Sequence, residues 1–188
     1  MSDHRPKRLI IFGDFSCPFS ALASHRAAAL EANARAEIEW RGIQHLPDQP
    51  LAGVVVEAGL ATKYEREVEQ IRSLLMPTED FPLKVPSVQP NTGLAIAAFA
   101  AAAPDDRALV RQRVFEAFWF EGADIGAPGV LAGLGAPPPD QPPPAAAEWQ
   151  AQWESFDKRM VPMLVMPDGY LSRGLGALSR LAALAEGV

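Results

Sequence analysis

A chain with one cysteine, Cys17, cannot form an internal disulfide, so no covalent staple supports the fold and its core must hold unaided. A single thiol also agrees with a reducing compartment. A surplus of basic residues is missing as well. The net charge is -6, with the positive residues scattered along the chain, which leaves no patch of the kind that neutralises a phosphate backbone and argues against nucleic acid or membrane as partner. Long apolar runs are absent too. The polar start, Met1 to Lys7, leads into Leu9 to Phe12, a stretch too short for a signal-peptide core or a bilayer span, so a cytoplasmic protein is expected. Metal-ligand spacing is lacking: His4, His25 and His45 form no set with Cys17, and each is read as a solvated or structurally bonded histidine.

What is present is apolar substance, 48% hydrophobic residues in 188. That suffices for a proper core and predicts one domain, or one domain with an insertion. Arg8 to Phe12 is a β-branched and aromatic run without alternation, as in a strand buried on both faces. After Cys17-Pro18 the Ala- and Leu-rich stretch Phe19 to Asn33 predicts a helix with proline in its first turn. Ala36 to Ile43 alternates and predicts a second strand, giving a βαβ unit.

From Val54 to Trp119 nearly every periodic segment reads as helix: Tyr64 to Leu75, Thr92 to Ala103 and Arg107 to Phe120, broken by prolines. Tyr64 to Glu69 is read as a solvated helix face, and Phe115, Phe118 and Trp119 as core. The proline-rich run 135–144 predicts an extended linker or exposed loop. A helix over Ala145 to Met160 follows, then a strand Met163 to Met166, a turn at Pro167-Asp168-Gly169, a return strand at Tyr170-Leu171 and a closing helix from Gly176 to Ala185.

Cys17 stands where the first strand meets the first helix, beside free backbone N–H groups and the positive end of the helix, a placement that favours a thiolate. The same position is compatible with a small buried hydrophobe, since free cysteine is among the most buried residue types. Asp14 nearby opposes thiolate formation and is read as structural.

The segment Asp14-Phe15-Ser16-Cys17-Pro18-Phe19-Ser20 resembles the active-site turn of the DsbA-like branch of the thioredoxin superfamily. Gln89-Pro90-Asn91-Thr92-Gly93-Leu94-Ala95 resembles the opening of an inserted helix in that branch, and Phe118 to Gly126 a later segment of the same insertion. Val161-Pro162 resembles its cis-proline loop. Together these features resemble the subgroup of FrnE-type proteins, 2-hydroxychromene-2-carboxylate isomerases and kappa-class glutathione transferases. The fold this implies is an α/β thioredoxin-like frame built from residues 1–44 and 161–188, with an all-helical insertion at about 45–160.

The chemistry it implies is that of a thiol, a disulfide or glutathione, with catalytic groups at Cys17, Ser20 and Pro162. Pro18, Phe19, Val161, Ser172 and Arg173 would contact the substrate. Where dithiol oxidoreductases carry a second cysteine this chain has Ser20, so no internal Cys-x-x-Cys disulfide can cycle. The isomerases and kappa-class transferases carry a Ser-Pro-aromatic-Ser turn whose first serine helps to activate bound glutathione, and Cys17 stands in that place. The expectations are a small thiol or a disulfide-containing protein as substrate, no tightly bound cofactor but glutathione as cosubstrate, and a homodimer as a compatible assembly. The function implied is a monothiol thiol-disulfide oxidoreductase or a glutathione-dependent transferase or isomerase. The alternative is a redox-inactive binding protein that keeps the frame.

Overall fold

A computed structural model describes residues 7–187, so His4 lies outside the described residues. Along the chain run β1 (Lys7–Gly13), α1 (Pro18–Ala32), β2 (Ala36–Gly42), β3 (Val54–Val55), α2 (Ala58–Leu74), β4 (Val88–Gln89) and α3 (Gly93–Ala101). They continue as α4 (Arg107–Glu116), α5 (Pro128–Gly133), α6 (Pro144–Glu154), β5 (Met163–Val165), β6 (Leu171–Arg173) and α7 (Leu175–Glu186).

Four strands make one mixed sheet in the order β2-β1-β5-β6. β1 pairs with β2 in parallel, from Lys7 opposite Ala36 to Gly13 opposite Gly42, and with β5 antiparallel, Ile11 opposite Leu164. The missing alternation of β1 has its cause here. Ile11 and Phe12 point to opposite faces of a central strand, and both faces are covered, so both side chains are buried. The chain is an α/β protein with the thioredoxin-like frame, and the helical insertion lies between β2 and β5.

That insertion is not wholly helical. β3 and β4 form a two-residue antiparallel ladder within it, too short for any periodicity to reveal. The helix expected over Arg107 to Phe120 stops at Glu116, and the backbone widens into a π-helical turn, Ala117–Glu121. The widening lets the consecutive Phe118 and Trp119 both enter the core, at 1% and 0% exposure. Tyr64 and Val68, read as part of a solvated face, are buried one turn apart while Glu65, Arg66 and Glu69 stay exposed. The Tyr64 ring meets Trp119 edge-on at 5.9 Å. The proline-rich run is a loop as expected, and Pro144 takes the first position of α6, where a missing N–H is harmless. α6 ends at Glu154, not Met160, and frees the following residues to approach Cys17.

Two buried arginines pin the insertion to α1. Arg26 donates through Nε and Nη2 to the two carboxylate oxygens of Glu79, at 2.7 and 2.9 Å, and through its other N–H groups to the Leu74 and Leu178 carbonyls. One side chain thereby joins α1, the end of α2 and α7. Arg111 of α4 donates to Ser24 Oγ at 3.0 Å and to Glu31 at 2.7 Å, both on α1.

Arg26→Ala is expected to lower unfolding stability by about 3–5 kcal/mol, because it strands a desolvated Glu79 carboxylate and two carbonyls. A urea titration checks this as a lower midpoint at unchanged slope.

Candidate active site

The parallel pairing of β1 and β2 brings their carboxyl ends to one edge of the sheet, where Ile43 N–H donates to the Gly13 carbonyl at 3.0 Å. The residues that follow each strand, Asp14 and His45, therefore emerge side by side, in the place where open α/β sheets bind ligands. Gly13 is required by close approach: a Cβ on it would stand 2.3 Å from the Trp40 ring.

Asp14 is 1% exposed, yet every lone pair direction of its carboxylate is used. Oδ1 accepts from the Ser16 N–H and hydroxyl at 3.0 and 3.1 Å, and Oδ2 from the His45 N–H at 2.8 Å, with His45 Nδ1 2.7 Å away. Burial works against ionisation, but the hydrogen bonds and charge of His45, with the Ser16 and His45 backbone N–H groups, outweigh it. The Asp14 carboxyl is held below its ordinary range.

Cys17 is the N-cap of α1 and Pro18 its first residue. The Cys17 N–H donates to the Asp14 carbonyl at 3.1 Å and its own carbonyl accepts from Ala21, which closes the turn. The thiol is 7% exposed and makes no capping hydrogen bond. Of the two readings of Cys17, thiolate or small buried hydrophobe, its burial favours the second. Burial pushes the Cys17 thiol up to about 11, against the pull of the Ser20 N–H and hydroxyl, the Asp14 charge adds to the rise, and the Phe19 N–H offsets only part of it. Ser20 is fully buried, and its Oγ accepts from the Asp14 N–H at 3.3 Å, so it belongs to the turn that carries Cys17.

Cys17 and Phe19 form one wall of a cavity of about 700 Å³. Gln44 and His45 follow β2 along its floor, α6 contributes Gln150 and Glu154, and Arg159, Met160 and Val161 close the opposite side. The Val161–Pro162 bond is cis. Pro162 is buried and its carbonyl accepts from Gly174 N–H at 2.8 Å, whereas the Val161 N–H and C=O have no backbone partner among the described residues. Gly174, at φ +51°, passes so near Met160 that a Cβ would lie 2.6 Å from its sulfur.

Of the substrate contacts expected from sequence, Phe19 and Val161 line this cavity and Pro18 lies beside it in an adjoining recess. Ser172 and Arg173 do not. Ser172 is buried in β6 opposite Leu164, and the Arg173 guanidinium donates to the Lys158 carbonyl at 2.8 Å. Gly174 and Leu175 take that side of the wall instead. Sequence reasoning missed Gln44, Gln150, Arg159 and above all His45. The signal available for His45 was its place just beyond the end of the strand parallel to β1. Gln44 is set by Gln150, whose Oε1 accepts its N–H at 2.9 Å, and by Asn91, whose Oδ1 accepts from its side-chain amide at 3.0 Å.

The ionised Asp14 makes stability depend on acid. Its folded-state pKa is lowered, so its contribution is complete above the unfolded value of about 3.9 and is lost as pH falls through the folded value. The stability advantage of wild type over Asp14→Asn is expected to shrink as pH drops below about 4 and to be level above about 5, as read from urea midpoints.

Comparison with known proteins places this geometry. A search of curated proteins by sequence finds no match. Among solved structures, a 2-hydroxychromene-2-carboxylate isomerase superposes with TM-score 0.66 at 21% identity, over 96% of this chain and 93% of that one. A probable DsbA oxidoreductase from Streptomyces coelicolor gives TM-score 0.69 at 14% identity, over 96% and 90%. The cytosolic disulfide reductase DsbM from Pseudomonas aeruginosa, solved with GSH, gives 0.61 at 16% identity, over 96% of each chain. At such identities these likenesses speak for the fold. The family model of the DSBA-like thioredoxin domain matches residues 8–134, a span that runs from β1 through Cys17 to the end of α5. The chain therefore belongs to the family of DSBA-like thioredoxin domains.

Proposed function

We propose that the protein is a glutathione-dependent isomerase or transferase in which Cys17 stays protonated and donates a hydrogen bond to the sulfur of bound glutathione. The observation that carries this reading is the burial of Cys17 at the start of α1 on the wall of the cavity, a position that favours the neutral thiol. A thiolate is the nucleophile of disulfide exchange, and a thiol raised to about 11 is almost wholly protonated at pH 7. A protonated thiol is instead a donor, placed as the first serine of the Ser-Pro-aromatic-Ser turn is placed in the isomerases and kappa-class transferases that the sequence resembles. The unpartnered N–H and C=O of Val161 offer strand-like pairing to the peptide backbone of glutathione. Arg159, which makes no ion pair among the described residues, offers a cation for one of its carboxylates.

Calorimetric titration with reduced glutathione is expected to show one site in wild type. Cys17→Ser, which keeps a donor, should bind with similar affinity, and Cys17→Ala should bind about tenfold more weakly, the worth of one hydrogen bond. Equal binding by Cys17→Ala would remove Cys17 from the site.

The same protonation sets the redox behaviour. With oxidised glutathione, Cys17 should form a one-to-one adduct slowly at pH 7, the rate rising about tenfold per pH unit toward pH 11. Intact-mass kinetics check this, and a fast, pH-independent adduct near neutrality would return the monothiol oxidoreductase reading to first place.

A further inference from the structure

The polar groups around Cys17 do more than hold a turn. A carboxylate only accepts hydrogen bonds, so the His45 nitrogen that faces Asp14 Oδ2 at 2.7 Å, Nδ1, carries the proton. The His45 backbone N–H reaches the same oxygen, which fixes ring and backbone together. In the neutral ring this leaves Nε2 as the acceptor. The side chain is 26% exposed and lines both the main cavity and the adjoining recess, each shared with Cys17.

Every charged or titratable group near it is otherwise committed or unsuited to take a proton. On α2, Glu67 is paired with Lys63 at 3.8 Å and lines the adjoining recess, outside the main cavity, and burial keeps the Tyr64 phenol neutral. Across the cavity Glu154 accepts from Gln150 at 2.9 Å, and Arg159 is a cation. Asp14 is already saturated by donors.

We propose that His45, oriented by Asp14, is the general base of the pocket and takes the proton of the thiol that binds beside Cys17. The thiol S–H bond breaks, its electron pair stays on sulfur, and the proton passes to Nε2. The result is a thiolate next to the Cys17 donor and an imidazolium next to the Asp14 carboxylate. No oxidant or reductant takes part, and the proton is returned when the reaction ends. Burial at this depth favours the protonated form of a thiol, as it does at Cys17, so a bound thiol ionises only where a group takes its proton. In this scheme His45 is the catalytic residue and Asp14 a positioning residue that fixes its tautomer. The inference rests on the reading of the cavity as a glutathione site.

The test uses the full chain carrying Cys17→Ser, so that the ligand sulfur is the sole thiol while a hydroxyl still donates to it. Reduced glutathione is the probe. Calorimetry gives its affinity, and the ultraviolet thiolate band of the saturated complex, followed against pH, gives its ionisation. Adding His45→Gln is expected to change affinity less than about threefold while cutting the thiolate fraction at pH 7 by about tenfold or more. Adding Asp14→Asn should cause a smaller loss and move the midpoint of the profile upward, a change that a purely structural role would not produce. An unchanged thiolate fraction with His45→Gln overturns the proposal and leaves the glutathione reading standing. Loss of binding with His45→Gln in a folded protein assigns His45 to holding the ligand and also overturns the base. If wild type and Cys17→Ser both fail to bind glutathione, the reading of the site falls, and this inference falls with it.

Discussion

An ionised carboxylate buried to 1% exposure survives only where donors replace the water it has lost, and at Asp14 four of them do so. They come from two directions. Ser16 donates from the turn that leads into α1, and His45 from the segment that leaves β2. The carboxylate therefore clamps the ends of two parallel strands and sets the distance between Cys17 on one and His45 on the other. Without the Asp14 side chain the Ser16 and His45 N–H groups would be left without their acceptor in a place with little water. The turn has few other ways to satisfy them, which makes this interaction a condition for the rest of the site.

Burial decides what Cys17 is, and the same charge adds to its effect. A helix N-terminus and the Ser20 and Phe19 donors favour a thiolate, but the helix field is worth about 0.3–1 kcal/mol at an exposed site and up to about 2 kcal/mol when partly buried. Desolvation of a fully buried ion is of larger scale, and a carboxylate one turn away adds to it. The balance falls on the side of the neutral thiol. A neutral thiol is what the proposed role as hydrogen-bond donor requires, and Ser20 in place of a second cysteine is compatible with it.

Much of the frame was legible in the sequence because β1 contains an unbroken apolar run, β2 alternates, and glycine or proline stands at the turns beside them. β1 shows no alternation since both its faces are covered, and the Pro167-Asp168-Gly169 turn joins β5 to β6 much as its residues suggest. Illegible features are those in which tertiary context overrides local pattern. Tyr64 and Val68 sit among five charged neighbours and still face inward, because Trp119 offers a surface to pack on. The π-turn at Ala117 keeps a helical composition, so no residue announces it. At the site, Cys17, Phe19 and Val161 were readable from a linear motif. His45 was not, since its meaning arises only when β2 lies parallel to β1 and in register with it.

The insertion, in turn, is part of the site's construction. Trp119 Nε1–H donates to the Phe15 carbonyl at 2.9 Å, within the turn between Asp14 and Cys17, and Phe15 itself packs against Phe99 of α3 and Phe115 of α4. The π-turn that delivers Trp119 to this position is thus coupled directly to the geometry of the thiol. Arg111 secures α4 to α1 through Ser24 and Glu31, and Arg26 secures the end of α2 to α1 through the Leu74 carbonyl and Glu79. Loosening either contact would let the insertion shift against the start of α1. Because Asp14, Cys17 and Ser20 share backbone and side-chain bonds over one turn, such a shift would reach the thiol and the carboxylate together.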